Sequence, residues 1–224
     1  MPIKLNGQTS GSVQLDVPAA VSGGDVSLTL PNGIGSANQF LKNGSTAGTL
    51  EFADAAALTS SDMPTGSILQ VKETHLDTAF SVSYSTHTDT DITGLSVTLT
   101  PASTNSKVLI FARVNFELNN TSNQDFLLNL KRGSTFVGRP AADGVRTLGL
   151  QGMSQGHVAA NADTTMDNSY FHFLDSPGTA SSITYQLNMR NGFGSIMYVN
   201  RTVNDSNANT RERTTSSIIA MEVA

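Results

Sequence analysis

The strongest constraint on the fold is alternation with a period of two. Ile183, Tyr185, Leu187 and Met189 interleave with Thr184, Gln186, Asn188 and Arg190, the pattern of a strand with one buried and one wet face. Val108, Ile110, Ala112 and Val114 make a second apolar face. Its opposite side, Leu109, Phe111, Arg113 and Asn115, also begins apolar, so this strand reads as a central one covered on both sides at that end. Phe126, Leu128 and Leu130 alternate up to the turn signal Lys131-Arg132-Gly133-Ser134. Segments 67–73, 80–84, 95–100, 169–174, 195–199 and 217–223 complete a set of roughly nine or ten strands, spaced as in an antiparallel sandwich or jelly roll. The last strand is most apolar on the face of Ile219, Met221 and Val223, less so on that of Ile218 and Ala220. It is expected to be tied down in the sandwich or at a subunit axis. No stretch carries a helical stripe; Ala55-Ala56-Ala57-Leu58 makes one turn at most before Pro64. The fold class is therefore all-β.

Composition narrows the function. Charged residues are 14% of the 224-residue chain, against about 25% in ordinary globular domains, while Ser, Thr and Asn make up roughly three residues in ten. Low charge with many β-branched residues argues for a folded chain, since disordered ones show the reverse. The absence of Cys excludes disulfides, thiolate catalysis and thiolate zinc sites. A net charge of -5 speaks against a general binder of nucleic-acid backbone. No run approaches the ~18 apolar residues of a membrane span. The opening Met1-Pro2-Ile3-Lys4-Leu5-Asn6-Gly7 lacks the charged and apolar regions of a signal peptide.

The first 66 residues have a different texture, and the division falls into 1–66 and 67–224. Short apolar runs are broken at Gly23-Gly24-Asp25, Pro31-Asn32-Gly33 and Asn43-Gly44. A repeat is present. Asn6-Gly7-Gln8-Thr9-Ser10-Gly11-Ser12-Val13-Gln14-Leu15 matches Asn43-Gly44-Ser45-Thr46-Ala47-Gly48-Thr49-Leu50-Glu51-Phe52. Each copy reads as a turn, with Asn-Gly supplying positive φ, followed by a short strand. Units that cannot bury their apolar face alone must stack on neighbours. With two copies per chain, other chains are the natural neighbours, so this segment is expected to be a slender stem shared in an oligomer.

Several of these segments resemble the tail-fibre and appendage proteins of tailed bacteriophages, particularly of marine and cyanobacterial hosts. The carriers are residues 58–71 (Leu58-Thr59-Ser60-Ser61-Asp62-Met63-Pro64-Thr65-Gly66-Ser67-Ile68-Leu69-Gln70-Val71), Gly35-Ser36-Ala37-Asn38-Gln39-Phe40-Leu41-Lys42, and Ser216-Ser217-Ile218-Ile219-Ala220-Met221-Glu222-Val223. Leu130-Lys131-Arg132-Gly133-Ser134 and Phe173-Leu174-Asp175-Ser176-Pro177-Gly178 are similar too. These are strand-and-turn motifs from both halves of the chain. The resemblance implies a homotrimeric virion protein with a β stem and a jelly-roll-like β-sandwich head, assembled in the host cytoplasm. It also implies docking to other virion proteins through the N terminus, and host-surface adhesion.

Two sets of residues stand out chemically. In an extended strand His87, Asp89 and Asp91 point the same way. A His with two carboxylates suits a divalent metal, above all if three chains bring such strands to one axis; the plain alternative is a solvated edge before Gly94. The polar stretch 200–215, with Tyr198 at its foot, offers Asn204, Asp205, Asn207, Asn209, Arg211 and Arg213 as partners for saccharide hydroxyls, or simply as a solvated loop. The stretch 139–167 is similarly long and polar. His172 reads as a sheet-face residue, and His75 and His157 have no partner pattern. No nucleophile elbow, Walker loop, G-x-G-x-x-G or H-E-x-x-H occurs, so neither a cofactor nor an enzymatic activity is expected.

Overall fold

The computed structural model describes residues 3–6 and 12–15 (as backbone), 29–47, 49–54, 63–119, 126–153 and 163–224. The turn expected at Ala55–Leu58 and His157 lie outside them. No helix occurs among the described residues. The chain divides into two compact units, Met1–Leu58 and Thr59–Ala224.

In the first unit the two sequence copies belong to two antiparallel hairpins. β1 (Ile3–Asn6) pairs with β2 (Ser12–Leu15), Asn6 opposite Ser12. β3 (Gln39–Asn43) pairs with β4 (Leu50–Asp54), Asn43 opposite Leu50. The second connection corrects the expected tight turn: neither Asn43 nor Gly44 has positive φ. The connection is longer, closed by Gly44 N–H donating to Thr49 O at 2.8 Å and Thr49 Oγ1 donating to Thr46 O at 2.7 Å. Gly44 is needed because a Cβ there would lie 2.5 Å from Thr49 Oγ1.

The second unit is a sandwich of two antiparallel sheets. One has five strands: β7 (Thr88–Leu99), β13 (Ile183–Asn191), β9 (Phe126–Arg132), and then β10 (Thr135–Val137) and β11 (Gln151–Met153) sharing the far edge of β9. The other has six, centred on β8 (Lys107–Leu118). β12 (Asp167–Asp175) lies along one edge of β8; β15 (Ser216–Val223) and β14 (Ser195–Val199) share the other, followed by β5 (Ile68–Leu76) and β6 (Phe80–Tyr84). Six of the ten connections between these strands change sheet, so nearly every pairing is distant in sequence.

The alternating residues build one core between the sheets. Val108, Ile110, Val114, Phe116 and Leu118 from β8 meet Tyr185, Leu187 and Met189 from β13 and Phe126, Leu128 and Leu130 from β9, all fully buried or nearly so. At 1.5–3 kcal/mol for each fully buried large apolar side chain, this core is the main source of stability. The sheets are also tied by charge. Arg132 donates to Asp175 Oδ2 at 2.8 Å, and Tyr185 OH donates to the same oxygen at 2.7 Å. Two of the segments that carry the bacteriophage resemblance thus meet across the sandwich.

The final strand is held in the sandwich, between β5 and β8, and its more apolar side is the one that faces out. Ser216, Ile218, Ala220 and Glu222 point inward, while Ile219, Met221 and Val223 line the outer surface. Polar demands decide this. Glu222 is buried where it accepts from Ala102 N–H at 2.6 Å and Gln70 Nε2 at 2.5 Å. Burial alone would raise its pKa, but bonds from Gln70, Ser106 and Ala102 hold it below the usual carboxylate range.

Ser216 enters a second polar joint, at the point where β14 and β15 share the edge of β8. Asn115 N–H donates to Ser216 Oγ at 2.9 Å, Ser216 Oγ donates to Asn200 Oδ1 at 2.7 Å, and Asn200 N–H donates to Asn115 O at 3.0 Å. Asn200 Nδ2 reaches Leu76 O and Thr78 O at 2.8 and 3.1 Å. Asn200 is fully buried with φ +60, a conformation Asn tolerates better than most residues. Asn200→Ala is expected to cost about 2–4 kcal/mol in urea denaturation, because it strands buried backbone carbonyls and keeps the unfavourable φ. Asn200→Gly, which relieves φ only, is expected to cost about 1 kcal/mol less.

Candidate interaction surfaces

The loop between β14 and β15 is braced by its own polar groups. Tyr198 stands on β14, and the Arg201 guanidinium lies 4.5 Å over its ring. Asp205 is bonded by Arg213 and lies 3.6 Å from Arg201. Asn204 donates to Asp163 through its backbone N–H at 3.1 Å and through Nδ2 at 3.3 Å, and its Oδ1 accepts from Ser206 N–H at 3.1 Å. Arg211 bonds Thr210 Oγ1 at 3.0 Å. Asn207 and Asn209 are exposed. The structure therefore gathers Tyr198, Asn204, Asp205 and Arg213 into one braced loop and leaves the two asparagines at its surface.

Beneath this loop lies a residue that the sequence reading passed over. Glu117, on the outer face of β8, is fully buried by the loop above it. Its Oε2 accepts from Val203 N–H at 2.5 Å, and Thr165 supplies a second backbone bond. Its Oε1 has no hydrogen-bond partner among the described residues. Burial raises its pKa to about 7; the two backbone bonds oppose this, and the charges of Asp163 and Glu212 add to it. The available signal was a lone acid in the apolar run Phe116-Glu117-Leu118.

The proposed metal ligands are distributed differently from the expectation. β7 starts at Thr88, and His87 sits before it in a turn with φ +57, which takes it out of the strand alternation. Asp89 and Asp91 do share the outer face of the five-stranded sheet, but each already has a cation. Asp89 is bonded by Arg139 at 2.6 Å and Arg190 at 2.9 Å; Asp91 is bonded by Lys131 at 2.8 Å and Asn188 at 2.8 Å. Burial disfavours the Asp91 anion, but Lys131 and Asn188 outweigh it and hold its pKa down. A metal ion at these carboxylates would have to displace two arginines and a lysine. No group of three His, Asp or Glu among the described residues is placed to hold one. The segment after β10 helps cover this face: Arg139 also bonds Asn129 Oδ1 at 2.9 Å and stacks over Phe136.

The outer face of the six-stranded sheet is of the opposite kind. Leu109, Phe111, Ile219, Met221, Val71, Tyr170 and Leu174 all point outward, and none is buried. His172 lies on this face, its ring 6.2 Å from that of Phe111, and His75 lies on the same face of β5.

No protein-family model matches this chain, and no curated protein matches it. Among solved structures it is similar to the infectious bursal disease virus Gx strain (17% identity, TM-score 0.31, covering 100% of this chain and 46% of that one). It is also similar to T=1 particles derived from infectious bursal virus (14%, TM-score 0.30, 98% and 44%) and to the VP2 subviral particle of infectious bursal disease virus (13%, TM-score 0.30, 95% and 51%). The chain spans about half the length of these neighbours. TM-scores this low do not establish a common fold.

Glu117 makes stability depend on pH. Its folded pKa of about 7 lies above the ordinary ~4.3 of an unfolded Glu. Its contribution is therefore full below about pH 4 and falls as pH rises through 7, where folding must bury an anion. Glu117→Gln keeps an acceptor for Val203 N–H without the charge. Relative to the parent, the variant should gain roughly 2 kcal/mol in denaturant titrations between pH 5 and pH 8. An equal difference at both pH values would contradict the assignment.

Proposed function

We propose that this chain is a non-enzymatic structural protein of a virion: a homotrimeric appendage fibre of a tailed bacteriophage. Residues 1–66 dock it to other virion proteins, and the jelly-roll-like head, 67–224, is presented outward. The observation that carries the reading is the state of the first unit. Its hairpins have two strands each, and Leu30, Ile34, Phe40, Leu41 and Phe52 are all exposed. Isolated two-stranded hairpins are marginal in water, so this segment is suited to burying its apolar residues against other chains. The all-β head and the strand-and-turn resemblance of both halves support the same reading. Three linked heads would gain avidity from weak single contacts, with Asn207, Asn209 and Tyr198 as the first candidates for saccharide contact.

A second reading, a head-decoration, neck or baseplate component with no receptor, is favoured by one observation. Most polar groups of the loop 200–215 that could bind a saccharide are already engaged, within the loop or with Asp163. Two measurements separate these readings. Deleting residues 1–30 should leave a soluble, melting head that no longer enters particles; incorporation of the truncated chain would overturn the docking role. Purified protein should compete with intact particles for host cells if the head is an adhesin, and should have no effect at saturation if it is structural alone.

A further inference from the structure

The two outer faces of the sandwich carry opposite chemistry. That of the five-stranded sheet is closed by ion pairs among Asp89, Asp91, Lys131, Arg139 and Arg190. That of the six-stranded sheet is apolar over four adjacent strands. The pairing registers place its side chains in rows. Tyr170, Arg113, Ser217 and His75 form one row; His172, Phe111, Ile219 and Glu73 the next; Leu174, Leu109, Met221 and Val71 the third. Tyr170 is 71% exposed, Val71 53%, Leu174 47% and Phe111 41%. On β15 the more apolar side is the one that faces out, which is costly for a surface that meets only water.

We propose that this face is a self-association surface, covered by the same face of a second copy of the chain. Two observations favour a second copy over an unrelated partner. The first is area. The uncovered apolar surface is on the order of 500 Å², at the upper end of what monomers expose. The ring of Lys107, Arg113, Glu73, His75 and His172 around it brings the face near the ~800 Å² per partner of a stable interface. The second is polar complementarity, since a Glu73 carboxylate accepts from an imidazole N–H. Glu73 stands at the β5 border, and no ion pair engages it among the described residues. His172 stands in the same row at the β12 border, with Arg113 and Lys107 on the strand beside it. A copy turned to meet the first brings the Glu73 border of one chain over the His172 border of the other, with Phe111 and Ile219 packed between. The face is thus complementary to itself, as a homo-oligomeric contact requires.

The chain contains no Cys, which makes a direct test possible. Within one chain residues 73 and 172 are separated by three strand spacings, about 14 Å, well beyond the ~7 Å limit for a disulfide. The full-length Glu73→Cys, His172→Cys double variant, oxidised at micromolar concentration, is expected to give a covalent oligomer on a non-reducing gel. A dimer band means that the contact closes about a twofold axis and carries the proposal; a trimer band needs a head-to-tail contact between different surfaces and overturns it. Neither single variant should cross-link to the same extent, nor should Thr98→Cys on the charged face. Adding Phe111→Asp to the pair should abolish the cross-link while leaving the melting transition in place, because Phe111 lies outside the core. Free thiols on the folded double variant, or cross-linking indifferent to Phe111→Asp, would overturn the proposal. The inference rests on the multichain assembly proposed above, yet the two fail separately. A chain absent from particles can still cross-link, and a particle-bound chain can leave both thiols free.

Discussion

The sandwich depends on one buried polar joint. β8 is long enough to pair with two strands along a single edge, and β15 and β14 meet there end to end. A backbone ladder cannot run through such a junction, so Asn115, Asn200 and Ser216 complete it with side-chain bonds. Asn200 also ties in the carbonyls of Leu76 and Thr78, where β5 hands over to β6. The braced loop 200–215 leaves and returns at this joint, and its position over Glu117 follows from that. Buried polar groups are costly unless fully paired, and here the pairing sets the register of four strands at once.

The outer faces then take different roles because of what lies over them. Arg139 and the chain after β10 bring cations onto the five-stranded sheet, and the carboxylates of Asp89 and Asp91 are neutralised there within one chain. Among the described residues of the second unit nothing comparable crosses the four strands β12, β8, β15 and β5, and their apolar rows are left open. The first unit repeats the theme: its hairpins carry more apolar surface than they can bury themselves. Exposed apolar surface on both units is the common ground between the proposed virion role and the proposed self-association.

Much of the fold was legible in the residues. The alternation of 108–114 and 183–190 placed the core faces of β8 and β13 correctly, and the repeat at Asn6 and Asn43 marked two hairpins. Three features depended on more than the local residue pattern. The inward face of β15 is decided by Glu222 and Ser216, which have buried partners more than 100 residues away in sequence. His87 left the strand because its backbone turns. Glu117 gave no signal beyond its apolar neighbours, because what buries it is a loop some 86 residues further along the chain.

The sequence by itself determined that this is an all-β chain of strands and turns, because period-two alternation and turn residues are local properties. It also marked β8 as a central strand, which it is, but as covered on both sides at its start, where the structure leaves Leu109 and Phe111 unburied on the outer face. Only the tertiary structure decided which sheet each strand joins and which side of β15 faces inward. It alone decided which charges are already neutralised and which apolar face stays open. Those outcomes are set by pairings between residues far apart in the chain, where a single buried carboxylate or amide can outweigh the apolar preference of a whole strand face.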